Sequence, residues 1–389
     1  MSKRAARVEE YYFSRKLAEV RRLDQAGKRI INLGIGSPDL PPSTETIDAL
    51  TKSAAQPGHH GYQSYKGIPA LREAIAGFYQ RIYGVTLDPE TMLLPLMGSK
   101  EGIMHISMAF VNEGDTVLIP DPGYPTYASV AGLVGARIQT YRLDPAREWA
   151  IDMDDLRARD LSGVKLMWVN FPHMPTGTQA TPQQLEELVA LAAERGFLVV
   201  NDNPYSLILN DNPASILAVP GGMASALELN SLSKSHNMAG WRIGWVAGRP
   251  EYIDAVLRVK SNMDSGMFLG LQHAAIEALQ AGPEWFAAQD AVYKGRRREA
   301  ARILTLLGCR WSEAQSGLFL WAQAPDSEPD VEAWLDRILY GPGVFLTPGM
   351  IFGEAGKRYV RISLCSTEEK LREAADRISV WQNEKEQGG

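Results

Sequence analysis

The chain has 389 residues, which is enough for two domains and a sizeable buried core. Hydrophobic residues make up 45% of it and charged residues 22%, and this composition excludes a disordered or fibrous protein. The formal net charge of -6 leaves no excess of positive charge to follow a phosphodiester backbone, so we expect no nucleic-acid partner.

The N-terminal stretch and the cysteines narrow the class of protein further. Residues 1–17 begin basic but lack the apolar segment of a secretory signal, and no apolar run approaches membrane-spanning length. We therefore expect a cytoplasmic protein without membrane contact. Cys309 and Cys365 lie far apart, and the histidines form no HExxH motif. We expect neither a disulfide framework nor a metal site.

From about Pro41 to Gly282, strand-like apolar runs alternate with segments of helical period. This order predicts an α/β fold with a mostly parallel sheet flanked by helices. The clearest predicted helix covers residues 181–196, with Thr181 as its N-cap and a glycine at its end. The predicted strands cover residues 115–121, 164–172, 197–202, 226–232 and 242–248.

Polar residues stand at the ends of several of these strands, namely Asp121, Asn170, Asp202 and Ser231. Ligands of open α/β sheets bind beyond the carboxyl ends of the strands. We therefore expect these side chains to converge on one crevice.

The C-terminal part of the chain has a different pattern. A long charged helix is predicted near residues 284–308, followed by strands at 317–324 and 358–364. This pattern indicates a smaller α+β domain, and we expect the N-terminal residues to pack beside it. The predicted division is a large domain of residues 41–283 and a small domain formed by residues 1–40 and 284–389.

One lysine, Lys234, lies in the serine- and glycine-containing stretch LNSLSKSHNMAGWRIG, residues 229–244. A lysine amine is a useful nucleophile only if desolvation or neighbouring positive charge removes its proton near neutral pH, and Arg242 could supply such charge. The hydroxyls of Ser231 and Ser233 and the Arg242 guanidinium suit a phosphate group. A surface lysine in a polar loop remains the alternative at this point.

A second phosphate-binding element is predicted in MGSKEGI, residues 97–103, which follows a strand-like run and opens a helix. Gly98, Ser99 and Lys100 would present backbone N–H groups at a positive helix end, although an ordinary turn gives the same pattern. Asp202 ends a strand three residues before Tyr205, and it could also be only a helix cap. An amine, a phosphate cup, an acid and a phenol together fit pyridoxal phosphate.

The chain resembles the class I and II aminotransferases, which are fold type I pyridoxal-phosphate enzymes, over nearly its whole length. The motif SLSKSHNMAGWRIG is similar to the lysine signature of that family. This resemblance implies that Lys234 is the Schiff-base residue and proton shuttle. It also implies that Ser231, Ser233 and Arg242 hold the cofactor phosphate.

Other motifs of the family surround the cofactor in the same way. DNPY implies Asp202 on the ring nitrogen and Tyr205 as a donor to the phenolic oxygen, and GSKEG resembles the phosphate loop. In DPGYPTY, Tyr124 falls where the family stacks a ring on the cofactor face, although a core tyrosine is the alternative. Tyr62, in YQSYKGIPALREAI, falls where the family reaches a neighbouring subunit's phosphate, which implies a homodimer.

The substrate side of the site is implied by two further segments. TPGMIFGEAGKRYVRISL resembles the segment that supplies an arginine to the substrate α-carboxylate, here Arg361, for which a surface salt bridge is the alternative. A guanidinium grips a carboxylate through two parallel hydrogen bonds. Gly36 falls where the family brings backbone close to that carboxylate.

The chain departs from the family at Met174. In NFPHMPTG, this methionine stands where the family has an asparagine that bonds the cofactor's phenolic oxygen. A thioether cannot donate that hydrogen bond. Either Tyr205 donates alone, or Asn170 or His173 takes the place of the missing amide.

These features favour an aminotransferase that moves an amino group from an L-amino acid to a 2-oxo acid. One alternative is a carbon–sulfur β-lyase with the same lysine and acid. Another is a non-catalytic cofactor-binding regulator. Such a regulator normally carries an added DNA-binding domain, and we see no spare N-terminal length for one. Methionine, aromatic and diamino donors all remain open, because Asp264 could meet a cationic side chain or merely face solvent.

Overall fold

A computed structural model describes Met1 and residues 12–388. Its α-helices are α1 (Tyr12–Leu23), α2 (Thr44–Ala54), α3 (Pro69–Tyr83), α4 (Ser99–Phe110), α5 (Pro125–Val134), α6 (Met153–Ala158), α7 (Pro182–Arg195), α8 (Gly222–Ser225), α9 (Pro250–Lys260), α10 (Leu269–Ala278), α11 (Pro283–Leu306), α12 (Val331–Tyr340) and α13 (Glu368–Gly388). Its strands are β1 (Ile31–Asn32), β2 (Leu93–Leu96), β3 (Thr116–Asp121), β4 (Arg137–Asp144), β5 (Ala150–Ile151), β6 (Val164–Val169), β7 (Leu198–Asp202), β8 (Ala226–Ser231), β9 (Gly244–Gly248), β10 (Arg310–Trp311), β11 (Phe319–Gln323), β12 (Val344–Phe345), β13 (Thr347–Pro348) and β14 (Tyr359–Ser363). None of the helices in this described part is both long and apolar enough to cross a bilayer.

An eight-stranded sheet with the order β2-β9-β8-β7-β6-β3-β4-β5 forms the centre of the fold. Neighbouring strands from β8 through to β4 run parallel, whereas β9 runs antiparallel to both β2 and β8. The predicted mostly parallel sheet flanked by helices is confirmed. The carboxyl ends of β3, β6, β7 and β8 consequently share one edge.

Both faces of this sheet are covered. Along β6, Leu166 and Trp168 belong to one buried apolar cluster, whereas Met167 and Val169 belong to another. Alternate residues of a strand point to opposite faces, so helices must pack on both sides to bury them. This is why the inner strands β6 and β7 are mostly apolar and do not alternate regularly with polar residues.

A second, four-stranded antiparallel sheet has the order β10-β11-β14-β13. The N-terminal segment lies in the same region, because β1 pairs in parallel with β12 and Val20 packs against Leu339 and Phe345. The assignment of residues 1–40 and 284–389 to a separate small domain stays a prediction.

The boundaries of α7 follow from local chemistry. The Thr181 side chain accepts a hydrogen bond from the Gln184 backbone N–H at 3.2 Å, and the Gln184 side chain accepts one from the Thr181 N–H at 2.9 Å. Pro182 fits the first turn, and Gly196 ends the helix in the left-handed conformation, with φ 73°.

Thr181→Ala removes one half of this reciprocal cap. We expect the free energy of unfolding to fall by about 1 kcal/mol, because a helix N–H loses its acceptor. Chemical denaturation followed by circular dichroism measures the change. Thr181→Ser keeps the hydroxyl and serves as the control, and equal stability of the alanine and serine variants would contradict this account of the cap.

Candidate active site

A cavity of about 480 Å³ opens at the carboxyl edge of the central sheet, opposite β11 and β14. Its wall contains most of the site residues predicted from the sequence: Gly36, Ser99, Lys100, Tyr124, Asn170, Asp202, Tyr205, Ser231, Ser233, Lys234, Arg242 and Arg361. Two predicted residues are not in its wall. Gly98 lies directly behind Arg242, and Tyr62 is 94% exposed on the surface of its own chain.

The Lys234 amine lies in the turn after β8. Its Nζ donates a hydrogen bond to the Gly36 carbonyl at 2.6 Å. Burial lowers the pKa of this amine, and the positive charges of Arg361 and Arg242 act in the same direction. A larger fraction of the amine is therefore neutral, which is the state that a lysine nucleophile requires.

A cradle suited to a phosphate lies beside this lysine. Ser231 Oγ is 2.8 Å from Ser233 Oγ, and α4 begins at Ser99 with its backbone N–H groups at the same end of the cavity. Gly98 has φ 89°, and a Cβ atom there would lie 2.3 Å from Arg242 Nη2. Only glycine lets the guanidinium approach the start of the helix. A helix N-terminus, hydroxyls and a guanidinium together favour a phosphate dianion.

Asp202 lies in the same cavity wall, where β7 ends. Its Oδ2 accepts a hydrogen bond from the Tyr127 hydroxyl at 2.9 Å, whereas its buried Oδ1 has no hydrogen-bond partner among the described residues. Burial raises the pKa of this carboxyl to about 6, and the Tyr127 hydrogen bond and the Lys234 charge partly offset the rise. A buried acceptor without a donor is rare, so this oxygen suits a ligand that brings a proton.

Tyr127 was missed by the sequence analysis, although it ends the quoted motif DPGYPTY. Its ring stacks on Trp168 with centroids 5.1 Å apart and an interplanar angle of 5°, which fixes the direction of its hydroxyl. Tyr124 lies in the cavity wall with its ring edge-on to Tyr127. It is therefore not merely a core residue, and its stacking on a cofactor stays a prediction.

The Arg361 guanidinium is fixed from several sides on β14. Its Nη2 donates to the Gly34 carbonyl at 2.8 Å, and it lies 4.0 Å from the centroid of the Phe319 ring. The side chain is buried, so the alternative of a surface salt bridge is wrong. Gly36 approaches the same place, since a Cβ atom there would lie 2.2 Å from Phe319 Cζ. A buried guanidinium at a cavity wall can bind a carboxylate.

The residues around Met174 differ from the arrangement that the family resemblance implies. Asn170 donates through Nδ2 to the Asp202 carbonyl, and its Oδ1 accepts from the Met174 N–H at 2.7 Å. His173 lies outside the cavity wall, with Nδ1 2.8 Å from Thr176 Oγ1. Met174 itself lines the cavity, with Sδ 3.3 Å from Arg361 Nη1.

Two expectations from the sequence are wrong. Asp121 does not join the other strand ends in the cavity wall, because its Oδ1 instead accepts a hydrogen bond from the Ala355 N–H at 3.1 Å. Asp264 neither lines this cavity nor faces solvent. Its side chain is 4% exposed and forms an ion pair with Lys260 at 2.8 Å. The Asp121 partner is distant in sequence, and the four-residue spacing of Lys260 and Asp264 does not indicate that the pair is buried.

A central sheet with a buried lysine, a facing carboxylate and a phosphate cradle at its carboxyl edge defines a pyridoxal-phosphate-dependent transferase. A sequence model of the family described as aminotransferase class I and II matches residues 28–378, and the chain belongs to this family. The predicted family, enzyme class and cofactor are confirmed, and the chain is a pyridoxal-phosphate-dependent aminotransferase.

Individual relatives agree with this assignment. The chain is 39% identical over 356 residues to the LL-diaminopimelate aminotransferase of Oleidesulfovibrio alaskensis, covering 91% of this chain and 92% of that protein. It is 37% identical over 382 residues to the enzyme of the same name from Moorella thermoacetica, covering 97% of each chain. The substrate-bound structure of BacF from Bacillus subtilis matches with a TM-score of 0.92 and 34% identity, covering 98% of this chain and 97% of that one.

The residues present fit the cofactor that this family uses. The buried Oδ1 of Asp202 has no hydrogen-bond partner among the described residues, so it can accept from a protonated ring nitrogen. Because Gly98 has no Cβ atom, the Arg242 guanidinium can lie against the start of α4, where a phosphate would bind. Asp202, Arg242 and the Lys234 amine line the same cavity.

The Asp202 pKa predicts how cofactor affinity depends on pH. Below about pH 6 the apoenzyme carboxyl is neutral, so binding a protonated ring nitrogen requires loss of a proton, and affinity falls on acidification. Tyr127→Phe removes a hydrogen bond that lowers this pKa. We expect the fall in affinity to begin about 0.5 to 1 pH unit higher in this variant.

Cofactor titrations of the apoenzyme at a series of pH values measure this shift. Tyr141→Phe is the matched control, because the Tyr141 hydroxyl donates to the Trp168 carbonyl and not to Asp202. An unchanged pH dependence in Tyr127→Phe would show that Tyr127 does not act on the acid.

Proposed function

We propose that Lys234 is the residue that bonds the cofactor and moves the proton during transamination. The observation that carries this proposal is the burial of its amine in one cavity with Asp202 and Arg361. When bound, pyridoxal phosphate supplies an aldehyde carbon that bonds to amines and a pyridine ring that withdraws electrons from the substrate Cα. The amino group of an L-amino acid passes in this way to a 2-oxo acid.

Groups of opposite charge would hold the cofactor at its ring nitrogen and at its phosphate. Asp202 Oδ1 would keep the ring nitrogen protonated, so that the ring can accept electron density. Tyr205 would donate to the phenolic oxygen, because burial raises the pKa of its hydroxyl and keeps it protonated. The phosphate would bind in the cradle, which consists of Ser231, Ser233, Arg242 and the start of α4 at Gly98, Ser99 and Lys100, and Tyr124 would cover the ring face.

The substrate is oriented by its carboxylate. The Arg361 guanidinium would take both carboxylate oxygens, with the Gly36 backbone beside it, and this fixes the direction of the substrate's Cα–H bond. The neutral Lys234 amine would take that proton and return it. Apolar side chains on the same wall, Phe13, Ile351 and Phe352, would limit the access of water.

Lys234→Ala tests the central assignment. We expect transamination to fall roughly 1000-fold or more, because the only amine assigned to proton transfer is lost. Glutamate formation from 2-oxoglutarate, with LL-diaminopimelate, methionine and phenylalanine as donors, measures it. In the unaltered enzyme, borohydride should attach the cofactor to the peptide that contains Lys234.

The exposed Lys370 on α13 gives a matched control. Lys370→Ala should retain the activity of the unaltered enzyme. Near-normal turnover by Lys234→Ala, or borohydride labelling of another peptide, would exclude Lys234 as the covalent residue.

We also propose that the enzyme works as a homodimer on small-molecule substrates in the cytoplasm, and that Tyr62 completes the phosphate site of the neighbouring subunit. The exposure of Tyr62 on its own chain supports this role, since an aromatic side chain that is 94% exposed has nothing to pack against there. The family resemblance of YQSYKGIPALREAI points the same way.

Hybrid dimers test this exchange of residues. We expect Tyr62→Phe to weaken cofactor binding about 10-fold, through loss of a hydrogen bond to a charged group. A dimer of one Tyr62→Phe chain and one Lys234→Ala chain should regain about half of the normal activity, because one of its sites then has both native residues.

The dimer of one unaltered chain and one Lys234→Ala chain sets the upper limit for this measurement. Activity is assayed at a cofactor concentration that leaves Tyr62→Phe homodimers mostly unloaded. If Tyr62 served its own chain, the hybrid would have only half the activity of the Tyr62→Phe homodimer.

A further inference from the structure

Position 174 places a thioether inside the cavity, next to the groups proposed to hold the cofactor ring and the substrate. Met174 is 6% exposed, and its Sδ accepts a hydrogen bond from Arg361 Nη1 at 3.3 Å. A thioether has no proton to donate and is only a weak acceptor. Any polar group of the cofactor that faces this side chain therefore loses a donor that an amide would supply.

The two neighbouring polar residues, Asn170 and His173, are held by contacts of their own. The Asn170 amide is held by the backbone at both ends, because one N–H of Nδ2 donates to the Asp202 carbonyl and Oδ1 accepts from the Met174 N–H. The His173 ring is buried outside the cavity wall with Nδ1 on Thr176. Burial also lowers the pKa of His173 to about 3, so the ring is neutral and brings no charge to the site.

Tyr205 is thus the remaining donor among the groups that the sequence offered for the phenolic oxygen. Its hydroxyl belongs to a residue in the cavity wall, and burial keeps it protonated. Asn170 has a different task, which is to tie the end of β7 to the loop that carries Met174. This division of roles is visible only in the folded chain.

We propose that Met174 leaves Tyr205 as the single protein donor to the cofactor's phenolic oxygen, so that the nitrogen joining Lys234 to the cofactor keeps its proton to a higher pH. This inference rests on the proposed function of Lys234. A phenolic oxygen that accepts fewer hydrogen bonds retains more negative charge, and it therefore holds a neighbouring N–H proton more firmly. The protonated nitrogen makes the adjoining carbon a better target for a substrate amine.

Visible absorption of the substrate-free holoenzyme, titrated against pH, reports the loss of this proton directly. Met174→Asn introduces a donor, and its midpoint should lie about 0.5 to 1 pH unit below that of the unaltered enzyme. Met174→Leu is the matched control, because it conserves volume and brings no donor. Its midpoint should stay within about 0.2 pH unit of the unaltered value.

Tyr205→Phe in the unaltered background tests the same inference without a change at position 174. If Tyr205 is the single donor, its removal should raise the midpoint by about 1 pH unit. An unchanged midpoint in this variant, or a midpoint in Met174→Asn equal to or above the unaltered one, would overturn the inference.

Failure of the proposed function would look different. In that case borohydride would leave no cofactor on the peptide containing Lys234, and no variant would show a titration of the linking nitrogen. A labelled Lys234 peptide with the wrong direction of shift would reject the role of Met174 alone.

Discussion

The removal of one lysine amine from water is the constraint on which the rest of the structure depends. A solvated amine at neutral pH would be protonated and unreactive, whereas burial of Lys234 disfavours its charge. The fold achieves this burial and still leaves a cavity for a small molecule. It does so by facing the carboxyl ends of parallel strands with the β11 and β14 sheet, so that the amine is enclosed by both.

The charged side chains around this amine are held by different secondary-structure elements. The acid Asp202 ends β7, Arg242 sits beside the start of α4, and Arg361 extends from β14. These three charged side chains come from different parts of the fold, and all three line the cavity. A ligand with a cationic ring and an anionic phosphate, together with a substrate carboxylate, matches this arrangement of charges.

Much of the fold and of the cavity wall could be predicted from the sequence, because short-range pattern determines both. The apolar runs predicted the central strands, and the polar residues that end them predicted Asn170, Asp202 and Ser231 in the cavity wall. The family motifs added Arg361, whose position on a later strand has no local signal of its own.

Most of the contacts that could not be predicted join residues distant in sequence. Tyr127 meets Asp202 across 75 positions, and Asp121 accepts from the backbone at Ala355, 234 positions away. Asp264 pairs with Lys260 only four positions away, yet its burial depends on the packing of segments around it. Propensity and motif spacing carry no information on which of several polar partners a buried side chain will select.

Residues 34–36, near the N-terminus, contact both Arg361 and Lys234. The carbonyl of Gly34 accepts from Arg361, and the carbonyl of Gly36 accepts from Lys234. A carboxylate that takes the guanidinium would compete with the Gly34 carbonyl, which also accepts from Thr347 Oγ1 at 3.3 Å, and an aldehyde that takes the amine would compete with the Gly36 carbonyl. Only Ile35 separates these two glycines, so a bound substrate carboxylate and a bound cofactor would lie against the same short segment of backbone.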